Sequence, residues 1–266
     1  MTHFVILWRY RALISVLVRR ELAARYRASV LGFFWSLLNP LLLLLVYAVV
    51  FTTVFQPRFA GGEPYPLFLF VGLLPWIFFS QSVLESAVTL VDNGPLLAKV
   101  MCPPEIFPAV IVLAQLVHHL LAMPILIAAL ALAAFLGVHP FPWTIVLLPV
   151  AIVPWVLLAF GSAAAVAASA VHLRDVRDLV SHVLNFLFFA SPIIYSLEAL
   201  ELHPALMLAL RSNPLASLVN VYRDLAFAGQ VPGLGALMMA YLVGFSGWLL
   251  GVLVFARLRD TLVEAV

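Results

Sequence analysis

Six uninterrupted apolar runs, each long enough to cross a bilayer or close to it, constrain this chain more than any other feature. They lie at about 30–55, 67–90, 109–136, 144–171, 176–195 and 234–256. A helix rises 1.5 Å per residue, so about 20 apolar residues cross the hydrocarbon core of a membrane. A soluble domain could not hide this much apolar surface: 65% of the residues are hydrophobic and only 10% are charged, which leaves too little polar surface for a water-facing shell. The bilayer is therefore the solvent, and backbone hydrogen bonding inside it permits only helices or closed barrels. Runs of this length specify helices. The fold class is all-α integral membrane, with six transmembrane helices in one domain at 30–256.

Charge placement orients the bundle. Six arginines precede the first run, and Lys99, Arg174, Arg177, Arg257 and Arg259 fall in the loops or tail on that same side. Only Arg58, Arg211 and Arg223 fall on the other. The positive-inside rule then puts both termini in the cytoplasm, which an even number of spans requires. The lone cysteine, Cys102, excludes a disulfide framework. The first apolar run lacks a small-residue cleavage site, so no removable signal peptide is expected.

The segment 1–29 is too charged to span, yet it carries Phe4, Leu7, Trp8, Leu13, Ile14 and Leu17. That mixture fits an amphipathic helix, or two shorter pieces, lying in the cytoplasmic interface with its arginines reaching for phosphates. The alternative to that preferred reading is a plain positive anchor for the first span. Asn39-Pro40 lies about a third of the way along that span and removes a backbone donor, which invites a fixed bend.

Two connections are longer than a turn needs. In 91–108, Asp92 or Asn93 caps, Pro95 opens and Pro103-Pro104 stops a short helix at 95–101. Leu96, Leu97, Val100 and Met101 share one of its faces. Such a knob fits a partner's groove, and it also fits packing on its own bundle. In 196–233, "HPALMLALR" and "NPLASLVNVYRDLAFAG" read as two helices too short to span, the second capped by Asn213, opened by Pro214 and closed by Gly229. A re-entrant helical hairpin on the outer face accommodates both. A cytoplasmic tail follows at 257–266.

Catalytic motifs are sparse. There is no Gly-Lys-Ser/Thr phosphate loop, and no GxSxG, HExxH or CxxC. Asp175 and Asp178 in "RDVRD" could bind a metal in a membrane enzyme acting on lipid phosphates, or could pair with Arg174 and Arg177 at a helix start. Glu85 lies about 9 Å inside the second run; a buried partner for cytoplasmic arginines is the reading preferred over a proton carrier. His118 and His119 lie nearer mid-membrane, where bridging histidines outnumber proton relays. These few groups leave an ion-coupled small-molecule transporter as the alternative function. Aromatic residues crowd the span ends. Most such residues form interfacial belts, and some could face a channel.

Several blocks taken together resemble the permease subunit of ABC exporters for lipid-linked polysaccharides: "RRELAARYRASVLGFFWSLLNPLL", "LPWIFFSQSV", "LLAKVMCPPEIFP", "RDVRDLVSHVLNFLFFASPIIY" and "NPLASLVNVYRDLAFAG". That family includes O-antigen, capsule and teichoic-acid exporters, and the order of the blocks is kept along nearly the whole chain. The resemblance implies a homodimer in the bacterial inner membrane, served by two copies of a cytoplasmic ATPase that binds the ATP and magnesium; no cofactor is expected on this chain. It implies that Pro95, Leu96, Leu97, Lys99, Val100 and Met101 form the coupling helix. It assigns the outer hairpin, with Asn213, Pro214, Tyr222 and Arg223, to a periplasmic gate. A glycan on polyprenyl pyrophosphate or another lipid would pass along the dimer interface. Arg19, Arg20, Arg25 and Arg27 would meet the phosphate on the cytoplasmic side, and Phe33, Trp35, Trp76, Phe79, Phe189 and Tyr195 would line the channel. The Pro103-Pro104 pair departs from the family pattern and shortens the coupling helix.

Overall fold

The computed structural model describes residues 2–25, 34–50, 64–99, 102–173, 175–197 and 203–265. Every regular element among them is helical: α1 (Thr2–Arg9), α2 (Arg11–Arg25), α3 (Trp35–Val49), α4 (Tyr65–Asp92), α5 (Gly94–Lys99), α6 (Ile106–Phe135), α7 (Leu148–His172), α8 (Val176–Ala190), α9 (Pro204–Arg211), α10 (Pro214–Arg223) and α11 (Leu234–Ala265). A 3-10 turn, Trp143–Leu147, leads into α7, and a π turn, Asp224–Ala228, extends α10.

Among the described residues, four helical segments are long and apolar enough to cross a membrane: Tyr65–Asp92, Ile106–Phe135, Trp143–His172 and Leu234–Arg259. The described part of the first apolar run is the shorter helix α3, which continues through Pro40 rather than breaking there. The fifth run is helical for the 15 residues of α8, about 22 Å and short of the roughly 30 Å hydrocarbon core. It ends where Ser191-Pro192 turns the chain. Lipid-compatible prolines recur inside the long helices at Pro75, Pro124 and Pro154, where neighbouring helices accommodate the missing donor.

α4 is the central element. Eighteen of its residues are buried, so it is enclosed by protein, whereas α11 keeps a largely exposed apolar face. α7 and α11 approach each other most closely, and small residues allow it. A Cβ placed on Gly244 would lie 2.5 Å from the Pro154 carbonyl oxygen. A Cβ on Gly251 or Gly161 would collide with the backbone of the other helix. In lipid, where apolar side chains gain nothing by leaving their solvent, this close backbone packing is a main source of helix association.

The N-terminal segment forms two helices, the shorter-pieces version of the sequence reading. Ile14 is buried, and Leu7, Leu13, Leu17 and Val18 pack beside it on Leu90, Ile106, Phe107, Val110 and Phe255. The basic segment therefore sits on the ends of α4, α6 and α11, with Arg19 and Arg20 exposed. Glu105, at the start of α6, pairs with Arg259 of α11 at 3.2 Å.

The short helix after α4 begins at Gly94. The Asn93 side chain does not cap it: its Nδ2 donates to the Thr89 carbonyl of α4 at 2.8 Å. The Asn93 backbone carbonyl instead accepts from Leu96 and Leu97. Leu96 and Leu97 are half-buried against the Leu90–Ile106 region of their own bundle.

Candidate functional site

Two polar constellations interrupt the oil. The first is a chamber of about 550 Å³ between α3, α4 and α6. Arg25, at the end of α2, donates to Glu85 Oε2 at 2.5 Å, and Gln115 Nε2 of α6 donates to the same oxygen at 2.6 Å. The pairing of Glu85 with a basic residue of the N-terminal segment is the arrangement its shallow position in the run implied. The carboxylate thus joins three helices, and an acid that would be costly alone in lipid is paired. Trp35, Asn39, Gln81, His118 and His119 also line the chamber.

His119 is buried, and its Nδ1 lies 3.3 Å from the Leu74 carbonyl oxygen. A carbonyl can only accept, so Nδ1 donates and the neutral ring presents Nε2 as an acceptor. The Tyr222 hydroxyl, reaching in from α10, lies 3.3 Å from that Nε2. The chamber wall is thereby tied to α10.

The second constellation lies where α8 ends. Helix termini leave carbonyls without intrahelical partners, and three side chains meet those of the turn after α8. Asn213 Nδ2 donates to the Ala190 carbonyl at 2.9 Å. Arg223 Nη1 and Nη2 donate to the Pro192 and Ile193 carbonyls at 2.8 and 2.9 Å. The Tyr65 hydroxyl donates to the Ile194 carbonyl at 2.7 Å. Asn213 also caps α10, accepting from the Leu215 amide at 3.0 Å as its place before Pro214 implied.

Arg223 is buried, 8% exposed, and its guanidinium stands 3.7 Å from the centre of the Phe68 ring. Burial strengthens such a cation–π contact. Gly72 supplies the space: a Cβ there would lie 2.6 Å from Arg223 Nη2. α4, the α8 turn and α10 are thus pinned at one joint.

The structure separates the other residues singled out from sequence. Trp76 and Phe79 are buried inside the bundle, each in ring contact with the other at 5.8 Å and with Phe188 or Trp155. Phe189 is 64% exposed on α8, and the Tyr195 hydroxyl donates to its carbonyl. Asp175 and Asp178 are exposed around the start of α8. Arg27, Phe33, Val100 and Met101 lie outside the described residues. The sequence reading missed Gly72, Tyr65, Gln81 and Gln115. For Gly72 a signal existed, a lone glycine in "YPLFLFVGLLPW", a run of otherwise large residues.

A bundle of long apolar helices with buried polar joints and no water-facing core is a polytopic membrane protein. The chain belongs to the ABC-2 type transporter family, whose model matches residues 12–227. It is similar to the O-antigen export system permease protein RfbA of Myxococcus xanthus, 38% identical over 232 residues that cover 87% of this chain and 86% of that one. It is also similar to a permease of the same name from Klebsiella pneumoniae, 27% identical over 252 residues covering 95% and 94% of the two chains.

Proposed function

We propose that this chain is the permease subunit of an ATP-driven exporter that carries lipid-linked polysaccharide, O-antigen in the first instance, across the bacterial inner membrane. One observation carries the reading: near end-to-end similarity, at 38% identity, to a protein named as an O-antigen export permease. The family match over 12–227 and the bundle of membrane-length helices support it.

In this reading the first span extends beyond α3 and the fifth is α8 with the turn after it, giving six spans with both termini in the cytoplasm. Residues 30–256 form the permease domain, 1–29 lie at the interface and 257–266 form the tail. α9 and α10 form the re-entrant periplasmic gate. The carbonyl joint held by Asn213 and Arg223 gives that gate a fixed hinge point on α8, and Tyr222 connects it to the inner chamber. Two copies of the chain enclose the path, and their exposed α8 faces, including Phe189, border it with Trp35 and Tyr195. α5, with Pro95–Lys99 and the following Val100 and Met101, receives the motion of two ATPase subunits, which hold the ATP and magnesium. Arg19, Arg20 and Arg27 meet the lipid phosphate. Arg25 contributes only when released from Glu85.

The test is genetic and biochemical together. Cells lacking the chain should lose surface polysaccharide and accumulate lipid-linked glycan inside. The tagged chain should co-purify with an ATPase. Surface polysaccharide that persists at the wild-type level in the deletion strain refutes the cargo.

A further inference from the structure

α6 carries two polar ties on a single turn. Gln115 Nε2 donates to Glu85 Oε2 at 2.6 Å, the oxygen that also accepts from Arg25 at the end of α2. Four residues on, His119 donates from Nδ1 to the Leu74 carbonyl and accepts at Nε2 from the Tyr222 hydroxyl of α10, both at 3.3 Å. Residues i and i+4 stand one above the other on a helix, about 6 Å apart along its axis. The same hydroxyl lies 3.5 Å from Sδ of Met123, one turn further along α6. Tyr222 is followed by Arg223, which holds the turn after α8. A series of polar contacts, joined by one turn of α6, therefore runs from α2 to the turn after α8.

That turn is stiff, and its ties are costly to stretch. The sequence from Gln115 to His119 holds neither glycine nor proline, so regular backbone bonding keeps it helical. The nearest weak point is Pro124, whose missing donor leaves the Leu120 carbonyl unpaired in the helix ladder and lets α6 bend beyond the turn rather than within it. His119 and Tyr222 are enclosed, 4% and 0% exposed. Away from water, a hydrogen bond pulled past bonding distance leaves both of its groups unsatisfied, so each tie has a made state and a broken one. A shift of the turn that breaks one tie displaces the other group with it. From this sharing of one rigid turn, we propose that residues 115–119 of α6 act as a crossbar: the anchoring of α2 through Glu85 and the anchoring of α10 through His119 are made and released together. The device is a property of the folded chain without cargo or ATPase, so it goes beyond the exporter reading and does not rest on it. Such coupling is reciprocal, and loosening either end weakens the other by the same factor.

The experiment follows amide hydrogen exchange in the full chain in lipid nanodiscs, where exchange of protected amides reports local opening. Glu85→Gln removes the charge that holds Arg25, and exchange across 214–223 should rise about tenfold although the change touches no residue of α10. Tyr222→Phe removes one hydroxyl, and exchange across 11–25 should rise by the same factor. Gln115→Leu cuts the crossbar from Glu85 and leaves the Arg25–Glu85 and Tyr222–His119 pairs in place. In that background each of the two changes should speed exchange only at its own end. Arg25→Met repeats the first perturbation at a partly exposed side chain, should Glu85→Gln fold poorly, and Arg25→Lys, which keeps a donor for Glu85, should restore most of the protection of α10. Unchanged exchange of α10 in both Glu85→Gln and Arg25→Met, an effect in one direction only, the same remote effects in the Gln115→Leu background, or an equal rise across α7, which makes none of these bonds, would each overturn the proposal.

Discussion

Replacing Gly72 by alanine separates helix propensity from tertiary packing, because the two predict opposite signs. In a helix interior Gly→Ala stabilises by about 1 kcal/mol. Here the added Cβ would stand 2.6 Å from Arg223 Nη2 and 3.2 Å from the Ile193 carbonyl oxygen. Ordinary carbon–nitrogen contact needs about 3.5 Å, so the guanidinium must retreat by about 0.9 Å. Its hydrogen bonds, now 2.8 and 2.9 Å, would then reach about 3.7 Å, beyond bonding distance. Each bond from a charged donor is worth about 1.5–3 kcal/mol, and the Phe68 contact adds about 1. Partial relaxation spares some of this, so the net expectation is a loss of about 2–4 kcal/mol despite the gain in propensity. The assay is the thermal midpoint of the detergent-purified chain, compared with Arg223→Met and with the double variant. Gly72→Ala should lower the midpoint, and the double variant should recover most of the alanine's steric cost, because the clashing partner is gone. A midpoint raised by Gly72→Ala alone, or strictly additive effects, refutes the joint as described.

Gly251→Val should force α7 and α11 apart, since even a methyl there meets the Gly161 backbone; overpacking of about 1–3 kcal/mol or more should appear as loss of monodisperse protein on size exclusion. Glu85→Gln removes the charge that holds Arg25, and cysteine cross-linking between α2 and α6 should fall several-fold while the protein stays folded. Leu97→Glu places a charge on the face of α5; ATPase co-purification and export should fall together, and retention of both would remove the coupling role from this helix. Asn213→Ala deletes the cap of α10 and the bond to Ala190; about 1–2 kcal/mol of stability should be lost, with Asn213→Asp restoring the cap but not the bond.

The all-helical class of fold and the four membrane-length helices among the described residues were written in hydropathy, because in a bilayer every apolar run of sufficient length has only a helix available to it. The cap of α10 was equally local: Asn213, Pro214 and Leu215 are neighbours, and one hydrogen bond closes the motif. The charge of Glu85 in the second run foretold a partner by cost alone, without saying that Arg25 and Gln115 would share one oxygen. What no reading of the chain in one dimension could supply was which residues meet across it. Gly72 and Arg223 are 151 positions apart by their numbers, and the space left by one matters only because the guanidinium of the other fills it. Trp76 and Phe79 read as span-end aromatics with a place in a channel, yet both are enclosed, because α4 is surrounded by protein rather than lipid. Hydropathy records how much a side chain avoids water. It does not distinguish lipid from protein as the refuge, and only the tertiary packing of α4 against its neighbours makes that choice.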